Sequence, residues 1–325
     1  MRVAIIVFLV AFLCAVAGVY DWLHKPMPIS DAVVDLVVEP GSSARQVATA
    51  VKQAGVDVAP LVLYWTFRLS GNARNIKAGS YEVAESDTPL SLMKKLVQGD
   101  QALRQLTLVE GWTFQQVRQA LKKAENLKPI SASMTDAAIM QTLGRPDVLP
   151  EGRFFPDTYI YPKGASDISV LQRAMVAMDE KLAQVWQLRS QDTVLTNPEQ
   201  LLVLASIIEK ETGLEADRPM VASVFNNRLR IGMRLQTDPT VIYGLGATFD
   251  GNLRKVDLQT DTPYNTYTRA GLPPGPIAMP GKAALLAALQ PAQSKALYFV
   301  ARGDGSSYFS ETLDEHNRAV NKYQR

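Results

Sequence analysis

Residues 197–213 read NPEQLLVLASIIEKETG. Asn197 is a good N-cap, Pro198 suits the first helical position and Gln200 stands at N3, the arrangement of a capping box. A helix is therefore expected through LLVLASIIEKET, stopping at Gly213, a residue suited to the C′ position. From Leu201 to Ile208 the run is apolar on nearly every side. A helix of that kind is buried. It leads into Glu209. A carboxyl group in apolar surroundings has its charged form disfavoured, so its pKa should rise. A general acid working near neutral pH needs that property. The plain alternative is a helix-end glutamate facing water beside a lysine. Glu211 follows about 200° further around the helix, so the two cannot act as one carboxylate pair.

Toward the C-terminus, a second helix is expected over roughly 217–231. Leu235-Gln236-Thr237-Asp238-Pro239-Thr240 is a cluster of hydrogen-bonding side chains suited to hydroxyls and amides of a sugar, or else a polar turn broken by Asp238-Pro239. Residues 263–281, PYNTYTRAGLPPGPIAMPG, are too rich in proline and glycine for regular structure. A long ordered loop in a compact domain usually has a task. Tyr264, Asn265 and Tyr267 open it and suit a carbohydrate groove, or pack the loop onto the core. A hairpin is expected from Leu297 to Ser310 with its turn at Gly303-Asp304-Gly305, so the tripeptide Arg302-Gly303-Asp304 is turn chemistry. Thr312 and Glu315 then cap a last helix.

Toward the N-terminus, a helix is expected from about Asp167 to Ser190, preceded by the aromatic loop or short strand EGRFFPDTYIYP at 151–162. Further upstream a strand–turn–helix plan recurs. Val33 to Glu39 alternates, Pro40-Gly41 turns, and Ala44, Val47, Ala48, Val51 and Ala54 share one helical face. The same plan recurs at Leu106, and a weaker version begins at Gly79. Such units suit a compact binding module or a single continuous α+β domain. Ser91-Leu92-Met93-Lys94 spells SxxK, but neither a KTG nor an SxN partner accompanies it.

The chain begins with VAIIVFLVAFLCAVAGVY from Val3 to Tyr20, free of charge. Eighteen residues at about 1.5 Å each give roughly 27 Å, close to the bilayer core of about 30 Å. Tyr20 and Trp22 stand where interfacial aromatics belong. An uncleaved membrane anchor is expected, in preference to a signal peptide cut after Ala15-Val16-Ala17. Arg2 and Lys25 nearly balance the charge across it. The short N-terminal tail favours an inside N-terminus, with everything after Asp21 exported.

Composition narrows the function. The 325 residues are 47% hydrophobic and 20% charged, enough for one large or two medium domains. A net charge of +2 with no dense Lys/Arg block argues against nucleic acid as partner. Cys14 is the only cysteine, and His24 and His316 are the only histidines. Neither an intrachain disulfide nor a metal site is expected, and no cofactor motif is present.

The blocks Ala205-Ser206-Ile207-Ile208-Glu209-Lys210-Glu211-Thr212 and Leu235-Gln236-Thr237-Asp238-Pro239 carry a resemblance. So do Glu151-Gly152, Phe155-Pro156-Asp157-Thr158-Tyr159, the segment 221–229, Tyr264-Asn265-Thr266-Tyr267, Gly271-Leu272-Pro273-Pro274-Gly275-Pro276-Ile277 and Glu315-His316-Asn317. Through them the chain resembles the YceG-like family, the endolytic murein transglycosylases of bacteria, over essentially its whole length. Met279 stands where a small or polar residue is expected, a departure that touches only loop packing.

The resemblance implies an α+β fold in four parts: a transmembrane anchor at 1–22, a linker at 23–34, a LysM-like module at 35–105 and a lytic-transglycosylase-like catalytic domain at 106–325. It implies Glu209 as catalytic acid/base, peptidoglycan glycan strands as substrate and peptidoglycan synthases as partners. The setting would be the bacterial inner membrane, held through residues 3–20, with the catalytic domain in the periplasm. Gln236, Thr237, Asp238, Tyr264, Asn265 and Tyr267 are the candidates for holding the sugar. Two other functions stay open: a non-catalytic wall-binding scaffold, and a muramidase-type hydrolase needing a second carboxylate, for which Asp238 is the candidate.

Overall fold

The apolar N-terminal run forms one helix, α1 (Arg2–His24), in the computed structural model, which describes residues 2–212 and 214–324. Among the described residues it is the one helix long and apolar enough to cross a membrane, and it is exposed from Ile5 to Asp21. The chain then divides into two units. One runs to Arg104 and also takes Ile160–Ala165; the other holds Gln105–Tyr159 and everything from Ser166.

In the first unit, strand β1 (Val33–Val38) alternates as its sequence requires. Val34, Leu36 and Val38 are buried, and Val33, Asp35 and Val37 are exposed. Helices α2 (Ala44–Gln53) and α3 (Pro60–Leu69) follow. Strand β2 (Gly79–Ala84) then returns antiparallel to β1, with Val33 opposite Ala84 and Val38 opposite Gly79, and α4 (Pro89–Gln98) closes the unit. Leu36, Val51, Leu63, Phe67, Val83, Leu92 and Leu96 form its core. Ser43 with Gln46 and Thr88 with Ser91 make reciprocal capping boxes on α2 and α4. Ser91 of the SxxK tetrapeptide is thus a capping residue, also bonded to Asp87 at 2.8 Å. The sequence pattern did not reveal α3, because PLVLYWTFRL is apolar on every side and shows no 3.6-residue rhythm. Lys163, from the returning segment, pairs with Asp35 at 2.7 Å and lies 3.5 Å from Glu82.

Strands β3 (Leu103–Thr107) and β4 (Thr158–Pro162) pair in a two-stranded sheet. Between them lie α5 (Phe114–Lys123), a 3₁₀ turn at Ile130–Ser133 and α6 (Asp136–Thr142). Helix α7 (Asp167–Trp186) ends four residues before the expected Ser190. The helix read first from the sequence is α8 (Pro198–Glu211), and every residue from Leu201 to Ile208 is buried. Asn197 caps it by accepting from Gln200 N–H at 2.9 Å. The Gln200 side chain reaches back one residue further than a capping box requires, to Thr196 N–H at 2.8 Å. The expected stop at Gly213 lies outside the described residues.

Helices α9 (Arg218–Arg230) and α10 (Asp238–Leu245) pack on α8. Asp238-Pro239 is therefore a helix start rather than a turn: proline lacks the N–H that the first turn leaves unpaired. After α11 (Lys255–Gln259), residues 263–281 form no regular element. Helix α12 (Lys282–Leu289) packs along α8. The C-terminal hairpin is β5 (Tyr298–Ala301) and β6 (Ser307–Ser310), followed by α13 (Leu313–Tyr323) with the Thr312/Glu315 capping box in place. The described chain is thus mixed α+β, with α8 at the centre of its larger core.

Candidate active site

Residues 275–281 of the Pro/Gly loop are nearly all buried, and a buried loop must find partners for its backbone. Helix α8 and the turn before α5 supply them. Ser206 Oγ accepts from Ile277 N–H at 3.0 Å, and Glu209 Oε2 accepts from Gly281 N–H at 2.9 Å. Between these two, Met279 exchanges bonds with the turn: its N–H donates to Trp112 O at 2.7 Å and its carbonyl accepts from Gly111 N–H at 2.9 Å. Met279 is fully buried.

Glu209 is half-buried, and burial is the main cause holding its carboxyl above the usual carboxylate range. The Gly281 N–H works against that shift, the Glu110 carboxylate adds to it, and Arg218 and Lys210 oppose it. Glu110 lies directly over Gly281: a Cβ there would stand 1.8 Å from Glu110 Oε1, so a side chain at 281 would displace the Glu110 carboxyl. Gly111 adopts a left-handed φ of +75°, and Lys210 Nζ donates to its carbonyl at 3.3 Å. One glycine thus joins two carboxyl groups, Glu209 through its nitrogen and Glu110 above its α-carbon.

Glu211 faces the other way, as its place on the helix requires. It accepts from Thr237 Oγ1. Burial pushes its carboxyl up, the Asp238 charge adds to this, and the Thr237 bond and the Arg228 charge act against it. Glu211, Arg228, Gln236, Asp238, Tyr267, Tyr298 and His316 line a groove of about 600 Å³. Tyr267 donates to Asp238 Oδ1 at 2.5 Å, and the Tyr298 ring stacks on His316 at 5.2 Å. Gln236 takes a left-handed φ of 47°, fixed by its N–H on Thr266 O at 3.1 Å.

The residues proposed from sequence are therefore not gathered around Glu209. Gln236, Thr237, Asp238 and Tyr267 surround Glu211. Asn265 is fully buried and serves its own loop: Nδ2 donates to the carbonyls of Asp257, Leu258 and Thr260, and Oδ1 accepts from Tyr267 N–H. Tyr264 belongs to a third cluster, with its ring 4.8 Å from that of Tyr243. Tyr243 shares a hydrogen bond with Glu151, a buried carboxyl that also accepts from Phe114 N–H at 3.0 and 3.2 Å. Burial pushes Glu151 up to about 7. No group of three or more His, Cys, Asp or Glu able to hold a metal occurs among the described residues.

Sequence reasoning missed Glu110, Glu151, Arg228 and Tyr243 as members of these clusters. Each gains its setting from a partner far along the chain. The available signal was the pair Glu110-Gly111 ahead of a helix and Glu151-Gly152 ahead of an aromatic run.

Residues 36–322 match the YceG-like family. The chain is 32% identical over 311 residues to a Bacillus subtilis (strain 168) protein named endolytic murein transglycosylase, across 90% of this chain and 86% of that one. A protein of the same name from Streptococcus pneumoniae (strain D39) is 28% identical over 92% of this chain, which spans 60% of that relative's length. The crystal structure of a putative YceG-like protein from Listeria monocytogenes superimposes with a TM-score of 0.55 at 31% identity, covering 89% of this chain and 99% of that one. With its α8-centred unit and its family blocks in order along the sequence, the chain belongs to the YceG-like family.

Proposed function

We propose that this chain is a membrane-anchored endolytic murein transglycosylase with Glu209 as its acid/base. The observation that carries the reading is the setting of Glu209: a half-buried carboxyl at a helix end, held above its usual pKa and fixed through one oxygen by Gly281 N–H. That bond occupies Oε2 as an acceptor and leaves Oε1 for the proton. Protonated Glu209 donates to the oxygen linking N-acetylmuramic acid to N-acetylglucosamine, and the C1–O bond breaks with oxocarbenium character at C1. The ionised carboxylate then takes the proton from the C6 hydroxyl of the same muramyl residue, and O6 closes on C1. The product end is 1,6-anhydro-N-acetylmuramic acid, and no water is consumed. Intramolecular attack gives a high effective molarity, so one carboxyl suffices as proton carrier.

The groove beside Glu211 suits further sugars of the strand. Tyr298, His316 and Tyr267 offer flat apolar faces, and Gln236 and Asp238 offer hydrogen bonds. The order β1–α2–α3–β2 supports a LysM-like module in the first unit, and α1 supports an anchor with the rest exported to the periplasm, beside peptidoglycan synthases. A second reading, a muramidase-type hydrolase, is favoured by one observation: Glu110 shares Gly281 with Glu209 and is the carboxylate placed to activate water there. Asp238 belongs instead to the Glu211 groove.

Product ends separate the readings. The full-length protein in detergent, acting on uncrosslinked glycan strands, should release anhydro-muramyl ends detectable by mass spectrometry. Glu209→Gln should lower the rate by about 10²–10⁴-fold, the usual contribution of a positioned acid/base. Reducing ends would establish the hydrolase. Undiminished cleavage by Glu209→Gln would remove Glu209 from the chemistry, and no cleavage by either protein would leave a wall-binding scaffold.

A further inference from the structure

Helix α3 departs from the usual rule for surface helices. At 100° per residue, Leu63 and Phe67 mark its inner face, and both are fully buried. The opposite face carries Leu61, Val62, Trp65, Arg68 and Leu69. The four apolar side chains there are 46–81% exposed, with Leu69 the most open. A surface helix normally turns polar residues outward. Four large apolar groups on one outward stripe, with one arginine beside them, mark a contact surface.

The same unit shows what covers it. The chain leaves α1 at His24, and by Met27 it is already tied down: Met27 N–H donates to Asp87 O at 2.8 Å. Asp57 N–H donates to Pro28 O at 2.7 Å, and Ser30 N–H to Gly55 O at 3.0 Å. Lys25 and Pro26 are the only residues between helix and body, a reach of roughly 10 Å at most. Trp22 and Lys25 at the end of α1 line one groove with Val58, Ala59 and Val62 at the start of α3. The polar headgroup layer on each side of a bilayer is about 5–8 Å deep. A helix that starts beside the exit of α1 therefore starts at lipid. Trp65 and Arg68 are residue types favoured in that layer.

We infer that the outer face of α3 lies in the lipid interface beside the exit of α1, so that the first unit rests on the membrane surface. This rests on the reading of α1 as a membrane anchor. The occupant is the bilayer itself, because the stripe is apolar and continuous with the groove at the anchor's end. Glycan would call for several hydrogen-bonding side chains, and this face has only Arg68 and the Trp65 indole N–H.

Spin-label accessibility tests it on the full chain in phosphatidylethanolamine/phosphatidylglycerol vesicles. In a Cys14→Ser background, single labels are placed through Val19→Cys in α1 and through Leu61→Cys and Leu69→Cys in α3. All three positions are exposed, so the labels do not disturb a core. Labels at 61 and 69 should resemble the label at 19: open to oxygen, and protected several-fold from a water-soluble nickel chelate relative to free label in buffer. If 19 is protected while 61 and 69 are open to nickel, the inference falls and the anchor stands. If 19 is also open, both fall. Protection at 61 and 69 that appears only with added glycan strands, or that scales with protein density in the membrane, would assign the face to glycan or to a second copy and overturn the inference.

Discussion

Gly281 is the residue at which Glu209 and Glu110 meet. Its missing side chain admits Glu110, and its N–H holds Glu209. The Glu110 carboxylate helps keep Glu209 protonated, Arg218 and Lys210 pull the other way, and burial contributes most. In the proposed mechanism Glu209 must hold its proton, so activity should fall as pH rises through its pKa. Glu110→Gln removes one cause of the raised pKa. The alkaline limb of the pH–rate profile should therefore move to lower pH, with the rate on the acidic side less affected. Initial rates of glycan cleavage across pH check this; a uniform loss without a shift would show Glu110 to be a structural support only. The buried helix that leads into Glu209 was legible in the sequence, because an apolar run behind an N-cap is a local pattern. Glu110 was not, since its meaning depends on a glycine 171 positions later.

Among the elements, α8 and the buried loop beside it behave as one piece. Ser206 and Glu209 stand three residues apart on one face of α8, and each satisfies a loop N–H. Ser206→Ala should leave Ile277 N–H buried without its partner, at a cost of about 1–3 kcal/mol. Melting should fall by roughly 2–4 °C per kcal/mol for a body of this size. Activity should fall as well, because the loop also positions Gly281. Thermal unfolding and cleavage assays on the same preparation measure both; an unchanged melting temperature would mean another group takes up the N–H. The same scale shows what sequence patterns can carry. Helix α8 announced itself through Asn197, Pro198 and its apolar run, and the strands of the C-terminal hairpin through their turn. Helix α3 stayed hidden because it meets apolar surroundings on its inner side and, by inference, lipid on its outer side, so no amphipathic rhythm was required. Helix α10 was not foreseen, and a turn at Asp238-Pro239 stayed one of two readings, because Asp-Pro serves both starts and breaks. The split of the polar motifs between Glu209 and Glu211 is a tertiary fact: a two-residue step on a helix sends neighbouring carboxyls to opposite sides.

For the whole molecule, Glu151 makes stability depend on pH. Its carboxyl is 7% exposed, is bonded to Phe114 N–H and Tyr243, and titrates at about 7 against an ordinary value of 4.5. A carboxyl raised in the folded state contributes stability that is fully present below 4.5 and is lost as pH rises through about 7. The difference amounts to about 3 kcal/mol. Glu151→Gln cannot ionise. The wild-type protein should therefore lose about that much stability relative to Glu151→Gln between pH 4.5 and pH 8, while the two change alike above pH 8. Urea unfolding at a series of pH values gives the difference directly, and parallel curves throughout would show that Glu151 ionises without penalty.

The return of Ile160–Ala165 to the first unit bears on how such a protein can be taken apart or recombined. A chain whose domains follow one another can be cut at a linker, and each piece keeps all its parts. Here a cut after Arg104 leaves the first piece without Lys163, with Asp35 stripped of its ion pair and Glu82 left with Arg104 alone. The two units are interleaved rather than strung in series. A graft of the first unit onto another enzyme must carry two separate stretches of sequence, and recombination at a single crossover point yields a hybrid whose front half was shaped for a segment it no longer has.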